Sequence, residues 1–503
     1  MKIDWQREVE KRKDELLETA MRFLRIPSVK DEERAAPGAP FGPAIQQAMQ
    51  FILEECQKMG LVIRNLDGYA AHAEMGQGQE LVGVLCHVDV VPPGEGWTTP
   101  PFQPALRDGK LYARGALDDK GPTVAALYAF KIIKELGLPL SRRVRLILGG
   151  DEESGWRCME RYFAEEEMPT FGFAPDATFP MISAEKGIFD LYLQYKPDTD
   201  STPRPTEGET ANMVPSAAEK WTGQSTGQPA TEQSGLKLAA FQAGQRLNMV
   251  PAMATARISG PLAALDRLLK RFETDMASLG KGEAKLENGY LSLTCFGKAA
   301  HGMEPEKGIN AGLMLAHFLR REPFAEEDAL FLEALVKGFY GDFHGSSLGI
   351  AYEDEITGPL TVNLGLIQYR HEDGRPPEGR LGMTIRYPVT TQFDRMLENL
   401  RAAAAQWGLH IASYTNKKPH HVDTDHFLVK TLRRVYEEHT GLDSTPMSIG
   451  GGTYARTLKA GVAFGPLFPG REETAHQVDE HIHVQDLLKA TAIYAHAIYE
   501  LAR

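Results

Sequence analysis

Apolar residues recur at helical spacing over residues 6–24 and 43–59, with Pro27 and a Gly-Pro-rich stretch at 37–43 between them. The pattern then changes. Residues 81–86 (LVGVLC) form an unbroken apolar run of strand length that stops at His87. Residues 122–136 (PTVAALYAFKIIKEL) return to helical spacing, with Pro122 near the start, where a missing N–H costs little. A second apolar strand, 144–149 (VRLILG), runs into Gly150-Asp151-Glu152-Glu153. Strand, helix, strand is the rhythm of an α/β domain, and both polar clusters fall just past strand carboxyl ends, where open α/β sheets place their ligands.

After about residue 195 the composition shifts. Residues 196–235 are rich in Pro, Thr, Ser, Gly and Gln and read as an extended surface loop. Within it Asn212-Met-Val-Pro215 recurs as Asn248-Met-Val-Pro251, too short a match to be a structural repeat. Strands predicted at 252–260, 289–296 and 380–387, with helices at 262–277, 308–320, 326–338 and 391–407, make a separate α+β block. Helical and strand patterns resume near 418 and end in an amphipathic helix at 484–502. The predicted organisation is a discontinuous α/β domain, 1–187 plus 418–503, carrying an inserted domain at 188–417.

Composition narrows the function. The 503 residues are 42% hydrophobic and 24% charged, as in an ordinary water-soluble chain, and carry a net charge of −13. That charge argues against a general nucleic-acid binder, which needs a basic face. No run of about 18 apolar residues suggests a membrane span. The N-terminal segment is charged and amphipathic, unlike a signal peptide. Cys56, Cys86, Cys158 and Cys295 form no CxxC pair, which suits reduced thiols in a cytoplasm.

The candidate chemistry lies in short polar clusters, each ambiguous alone. His87-Val-Asp89 puts two polar side chains on one side of an extended segment, so the carboxylate can orient an imidazole that faces a metal. It also reads as a strand-end turn. Asp118-Asp119 reads as a helix N-cap, and Asp151-Glu152-Glu153 as an acidic turn, although three acids after a buried strand repel unless a cation or proton sits among them. Asp176 and His476, one of 15 histidines, say nothing individually. Together the segments supply His, Asp, Glu, Asp and His, a set suited to two divalent cations with oxygen and nitrogen ligands. Two such ions polarise a carbonyl and acidify a bridging water, leaving Glu152 as general base. There is no Gly-x-Ser-x-Gly elbow and no P-loop. Gly450-Gly451-Gly452-Thr453 lacks the lysine of a Walker motif, but its N–H groups suit an anion.

The ordered motifs HVD (87–89), RGALDDKG (114–121), GGDEESGW (149–156), FAPD (173–176) and TAHQVDE (474–480) resemble the di-zinc metallopeptidases that include aminoacylase, carboxypeptidase G and succinyl-diaminopimelate desuccinylase. The resemblance to their dipeptidase V branch extends through GKAAHGMEPEKGINA (297–311), TIRYP (384–388), IGGGTYAR (449–456) and AFGP (463–466). It implies an α/β fold: a discontinuous di-metal aminopeptidase-like catalytic domain with an inserted α+β lid domain. It places His87 and Asp176 on one metal and Glu153 and His476 on the other. Asp118 bridges them, because only Asp118 fits the Arg-Gly-Ala-x-Asp spacing. Asp89 would orient His87, Glu152 would be the base, and His301 would stabilise the oxyanion. Arg386 with Gly451 and Gly452 of the Gly-rich loop would grip the substrate carboxylate, and Asn248 would touch substrate.

The stretch around 197–230 departs from the family as an insertion in the lid. The implied activity is a dipeptidase acting on short unblocked dipeptides through a metal-bridging hydroxide, with zinc, or manganese or cobalt, as the two ions. An N-acyl amino acid hydrolase is the alternative on the same site, and a non-catalytic binding protein the alternative on the same fold. A cytoplasmic monomer that takes a small peptide and neither nucleic acid nor membrane completes the expectation.

Overall fold

The computed structural model describes residues 3–196, 235–279 and 281–503. The expected loop insertion at 197–230 and the first Asn-Met-Val-Pro segment lie outside the described residues. The chain forms two units, Met1–Glu185 with His420–Arg503, and Lys186–Pro419.

The first unit is built on a mixed sheet. Its central strands Arg143–Gly149, Leu81–His87, Phe171–Ala174 and Gly461–Ala463 run parallel, in that order. Ala70–Gly76 and Val62–Leu66 extend one side antiparallel, and Ile182–Glu185 and His420–His421 extend the other. Leu81–His87 is buried at every position, as its unbroken apolar run requires. Helix Lys120–Glu135 follows the Asp118-Asp119 pair, and helix Val484–Ala502 packs along it. Both are apolar on most faces because each is sandwiched between other elements.

One expected helix is broken. In place of a single helix over 6–24 there are two, Trp5–Glu10 and Lys13–Leu24. The Arg12 guanidinium takes the Glu8 carbonyl (2.6 Å), and the Arg12 N–H turns instead to Val9 O (2.8 Å). The i, i−4 bond that would have continued the helix is therefore lost at that point. The break lets Trp5 stack on His496 while Leu16, Ala20 and Phe23 stay in the core.

The second unit is an antiparallel sheet of eight strands among the described residues. Their order is Gly282–Glu287, Tyr290–Phe296, Met253–Ser259, Lys237–Ala243, Thr361–Arg370, Glu378–Tyr387, Gly187–Tyr195 and Leu409–Lys417. Helices Leu262–Asp275, Ala311–Leu319, Glu326–Phe339 and Phe393–Ala405 share one apolar core with it. The overall class is α/β. No helix among the described residues is long and apolar enough to cross a membrane.

Candidate metal centre

Five chain segments of the first unit deliver polar side chains to one place. The fully buried strand Leu81–His87 ends at His87, whose Nε2 lies 2.9 Å from Asp118 Oδ1 and 3.8 Å from Asp176 Oδ2. Asp118 precedes helix Lys120–Glu135, and Asp176 follows strand Phe171–Ala174 by two residues. The other Asp118 oxygen, Oδ2, lies 2.9 Å from His476 Nε2, which is also 3.1 Å from Glu153 Oε1. One carboxylate thus divides its two oxygens between two imidazoles that are 389 residues apart in sequence (476 − 87).

The acidic turn after strand Arg143–Gly149 separates into different jobs. Asp151 is structural. Its carboxylate accepts Lys30 Nζ (2.7 Å), Ser154 Oγ (2.6 Å) and the Arg157 N–H at the start of helix Arg157–Glu165 (3.0 Å). The Glu152 and Glu153 N–H groups instead donate to Asp89 Oδ1 and Oδ2, at 3.2 and 3.1 Å. Gly149, at the end of the strand, leaves room for Tyr454: a Cβ there would sit 1.7 Å from the Tyr454 hydroxyl.

Asp89 was expected to orient the imidazole with its carboxylate. The nearest acceptor of His87 Nδ1 is instead the Asp89 backbone carbonyl at 3.0 Å, with Asp89 Oδ1 at 3.6 Å. Either contact fixes the Nδ1–H tautomer and turns Nε2 towards the cluster. Asp119, set aside on sequence spacing, is fully buried and accepts the His87 N–H (3.1 Å) and Thr123 Oγ1 (3.2 Å). It heads the helix without a side-chain capping bond, so the plain N-cap reading does not describe it.

Crowding sets the electrostatics. Burial, reinforced by the Asp176 charge, pushes the Glu152 carboxyl well above the usual range. Burial and the Asp118 charge raise Asp176 as well. For His87, burial works against the charged form but is outweighed by Asp118, Asp176 and Asp89, so the imidazole is pushed well up. His476 rises to about 11 through its bonds to Asp118 and then Glu153. The cluster sets four carboxylates around two imidazoles, an arrangement that calls for positive charge at its centre.

Two groups here can hold a metal ion: His87, Glu152 and Asp176, and His87, Asp118 and Glu153. Within each group the donor atoms lie within 4.8 Å of one another. Tetrahedral bonds of about 2.0–2.1 Å place neighbouring ligand atoms about 3.3 Å apart. The observed separations of 2.9 to 3.8 Å straddle that value, so the residues fit divalent ions.

The Gly-rich segment follows strand Met447–Ile449 in this unit. Its Thr453 N–H and Oγ1 both donate to Glu185, at 3.1 and 2.5 Å, and Arg456 lies 3.5 Å from the same carboxylate. The anion held by the Thr453 end of this loop is therefore Glu185, a residue that sequence reading passed over. A Cβ at Gly452 would meet Arg456 Nη1 at 2.5 Å, so a larger residue there needs that guanidinium to move.

Asn248, His301 and Arg386 belong to the second unit. Gly302 N–H donates to Asn248 O (2.7 Å), and Asn363 Nδ2 holds the carbonyls of Leu247 (2.6 Å) and Met249 (3.1 Å), so the 247–249 and 301–302 segments are locked together. His301 Nδ1 accepts the Met303 N–H at 3.2 Å. A neutral imidazole with Nδ1 as acceptor carries its proton on Nε2, which makes the exposed His301 an N–H donor. Partial burial of the ring, then the Arg386 charge, pushes its pKa down. Arg386 is itself buried on strand Glu378–Tyr387.

Sequence reading also missed Arg114 and Glu480, which form a fully buried ion pair. Each sat inside a recognised motif, RGALDDKG and TAHQVDE, and a charged residue at the edge of each motif was the available signal.

Residues 83–500 match the family described as "Peptidase family M20/M25/M40". "Putative dipeptidase YtjP" of Bacillus subtilis (strain 168) is 48% identical over 502 residues, covering 100% of both chains. The similarly named SSP1012 of Staphylococcus saprophyticus is 37% identical, covering 99% of each. Among solved structures, aminoacylhistidine dipeptidase from Vibrio alginolyticus superposes with a TM-score of 0.55 at 16% identity, covering 97% of this chain and 96% of that one, a likeness of fold. The chain is a peptidase and belongs to the peptidase family M20/M25/M40.

Proposed function

We propose that the chain is a metal-dependent dipeptidase that hydrolyses the single peptide bond of short, unblocked dipeptides. The observation that carries this reading is the division of Asp118 between His87 and His476, with Asp176 and Glu153 flanking the two imidazoles. The near full-length identity to relatives named as dipeptidases supports the substrate class.

On this reading His87, Asp118 and Asp176 hold one divalent ion, and Asp118, Glu153 and His476 the other, zinc being favoured by the mixed imidazole and carboxylate set and manganese or cobalt accommodated by it. When bound, the ions polarise the scissile carbonyl and lower the pKa of water. Glu152 takes a proton from the attacking water and passes it to the leaving amine, a task suited to a carboxyl whose pKa is raised by burial. His301 donates Nε2–H to the developing oxyanion. Arg386 and the loop at Gly451 and Gly452 bind the substrate carboxylate, and Asn248 contacts substrate. The catalytic domain comprises 1–187 and 418–503, with 188–417 as the inserted lid, and the enzyme works as a cytoplasmic monomer. The buried, unpaired cysteines suit a reducing compartment.

The test is hydrolysis by the full chain loaded with zinc, manganese or cobalt, comparing free dipeptides, a β-alanyl dipeptide, tripeptides and N-acetyl amino acids. Preference for free dipeptides is expected. Preference for N-acetyl amino acids would replace this reading with an aminoacylase.

A further inference from the structure

We propose that Glu480 is a positioning residue for Asp118, and so for both bound cations, an inference that rests on the metal-site reading above. Glu480 is fully buried, and among the described residues the hydrogen bonds of its carboxylate run to Arg114 and to backbone N–H groups. Its carboxylate is wrapped by the loop that carries Asp118. Oε1 accepts the N–H groups of Leu117 (2.9 Å) and Asp118 (3.1 Å), and Oε2 accepts the Gly115 N–H (3.2 Å) and Arg114 Nη1 (2.5 Å). Four donors on one carboxylate fix the path of residues 114–118. Asp118 sends one oxygen to each imidazole, so a small rotation of that loop shifts the geometry on both sides at once.

The same segment carries His476, four residues earlier. It is stitched to the rest of the unit on either side of Glu480. Asp479 accepts the Thr98 N–H (2.9 Å) and Oγ1 (2.5 Å), the Ala113 N–H donates to Glu480 O (3.1 Å), and His481–His483 pairs with Lys110–Tyr112. One stretch of chain therefore supplies a candidate ligand and sets the backbone of the bridging carboxylate opposite it. Glutamine cannot replace the acid here, because its NH2 would face N–H donors and leave at least one buried donor without an acceptor.

A purely structural ion pair would predict lost stability with unchanged metal binding. The experiment compares the full-length wild type, Glu480→Gln and Asp486→Asn. The last breaks the Arg471–Asp486 pair (2.6 and 3.0 Å) on the following helix and controls for general destabilisation. Zinc affinity is read by competition with a chromophoric chelator, and coordination geometry by the absorption spectrum of the cobalt-loaded protein. Wild type is expected to bind two ions. Glu480→Gln should bind about 10–100-fold more weakly with an altered cobalt spectrum, while Asp486→Asn keeps both readouts and loses only thermal stability. A Glu480→Gln protein with wild-type affinity and spectrum would overturn the inference. Wild type binding no divalent ion would overturn the metal reading and the inference with it. If Glu480→Gln does not fold, Arg114→Lys decides, since it keeps the charge but loses the guanidinium fork. Weaker zinc binding supports the positioning role, and unchanged binding removes it.

Discussion

Asp89 holds Glu152 by the backbone: its Oδ1 accepts the Glu152 N–H at 3.2 Å, while Oδ2 takes the neighbouring Glu153 N–H at 3.1 Å. One buried carboxylate thus sets the proposed base and a proposed ligand in a single act, besides lying against His87. Asp89→Asn keeps the size but puts an NH2 where an acceptor is needed. The expected result is a 10–100-fold loss in metal affinity or turnover, read by metal titration and steady-state kinetics. Wild-type values for both would show that the clasp is dispensable.

Glu152→Gln removes the proton carrier without removing its shape. Turnover should fall by about 10²–10⁴-fold while bound metal, measured by atomic spectroscopy, stays near two ions per chain. Undiminished hydrolysis would sink the assignment of Glu152 as base.

Removal of metal leaves Asp118, Glu152, Glu153 and Asp176 facing one another, with only the imidazoles to offset them. Chelation should abolish activity and lower the thermal midpoint, and zinc, manganese or cobalt should restore both. At a free ion concentration of 100 times Kd the gain is about 2.7 kcal/mol. A midpoint indifferent to added ion would contradict the site.

Acid should weaken the first unit through His72, which is buried with Nδ1 3.0 Å from the Tyr162 hydroxyl. Burial, then the Arg145 charge, pushes its pKa from 6.5 down to about 3. The folded state thus favours the neutral ring. The stability this gives is complete above pH 6.5 and is lost progressively as pH falls from 6.5 towards 3. His72→Gln, which keeps an acceptor for Tyr162, should show a shallower fall in thermal midpoint between pH 6.5 and 4. An unchanged slope would acquit His72.

Thr453→Val deletes the hydroxyl that donates to Glu185 and loosens the Gly-rich loop. A hydrogen bond of about 1 kcal/mol corresponds to roughly a fivefold effect. That loss should appear as a raised KM with kcat little changed. A change confined to kcat would place the loop in the chemical step instead.

The helix and strand pattern was legible wherever one periodicity ran uninterrupted. Leu81–His87, Arg143–Gly149 and Val484–Ala502 fall where apolar spacing puts them. The break at Arg12 was not legible, because it depends on a guanidinium competing for a carbonyl, and periodicity is blind to that. The polar cluster was legible as motifs, and the structure brings His87, Asp118, Glu153, Asp176 and His476 together. What surrounds them was hidden for a different reason. Asp119, Glu185 and Glu480 act by accepting backbone N–H groups, and such a task leaves no signature in residue type or spacing. Only the fold reveals which N–H each carboxylate meets.

The wrapping of residues 114–118 around Glu480 spans 366 positions for its Arg114 bond. A ribosome working at about 5–20 residues per second delivers the loop roughly 20–70 s before its acceptor. Throughout that interval Asp118 has neither the carboxylate that fixes its backbone nor His476 beside it, so the nascent chain can assemble only the His87 side. Protein synthesis itself therefore imposes an order of assembly: the second unit is made in full before Asp118 can meet Glu480 and His476.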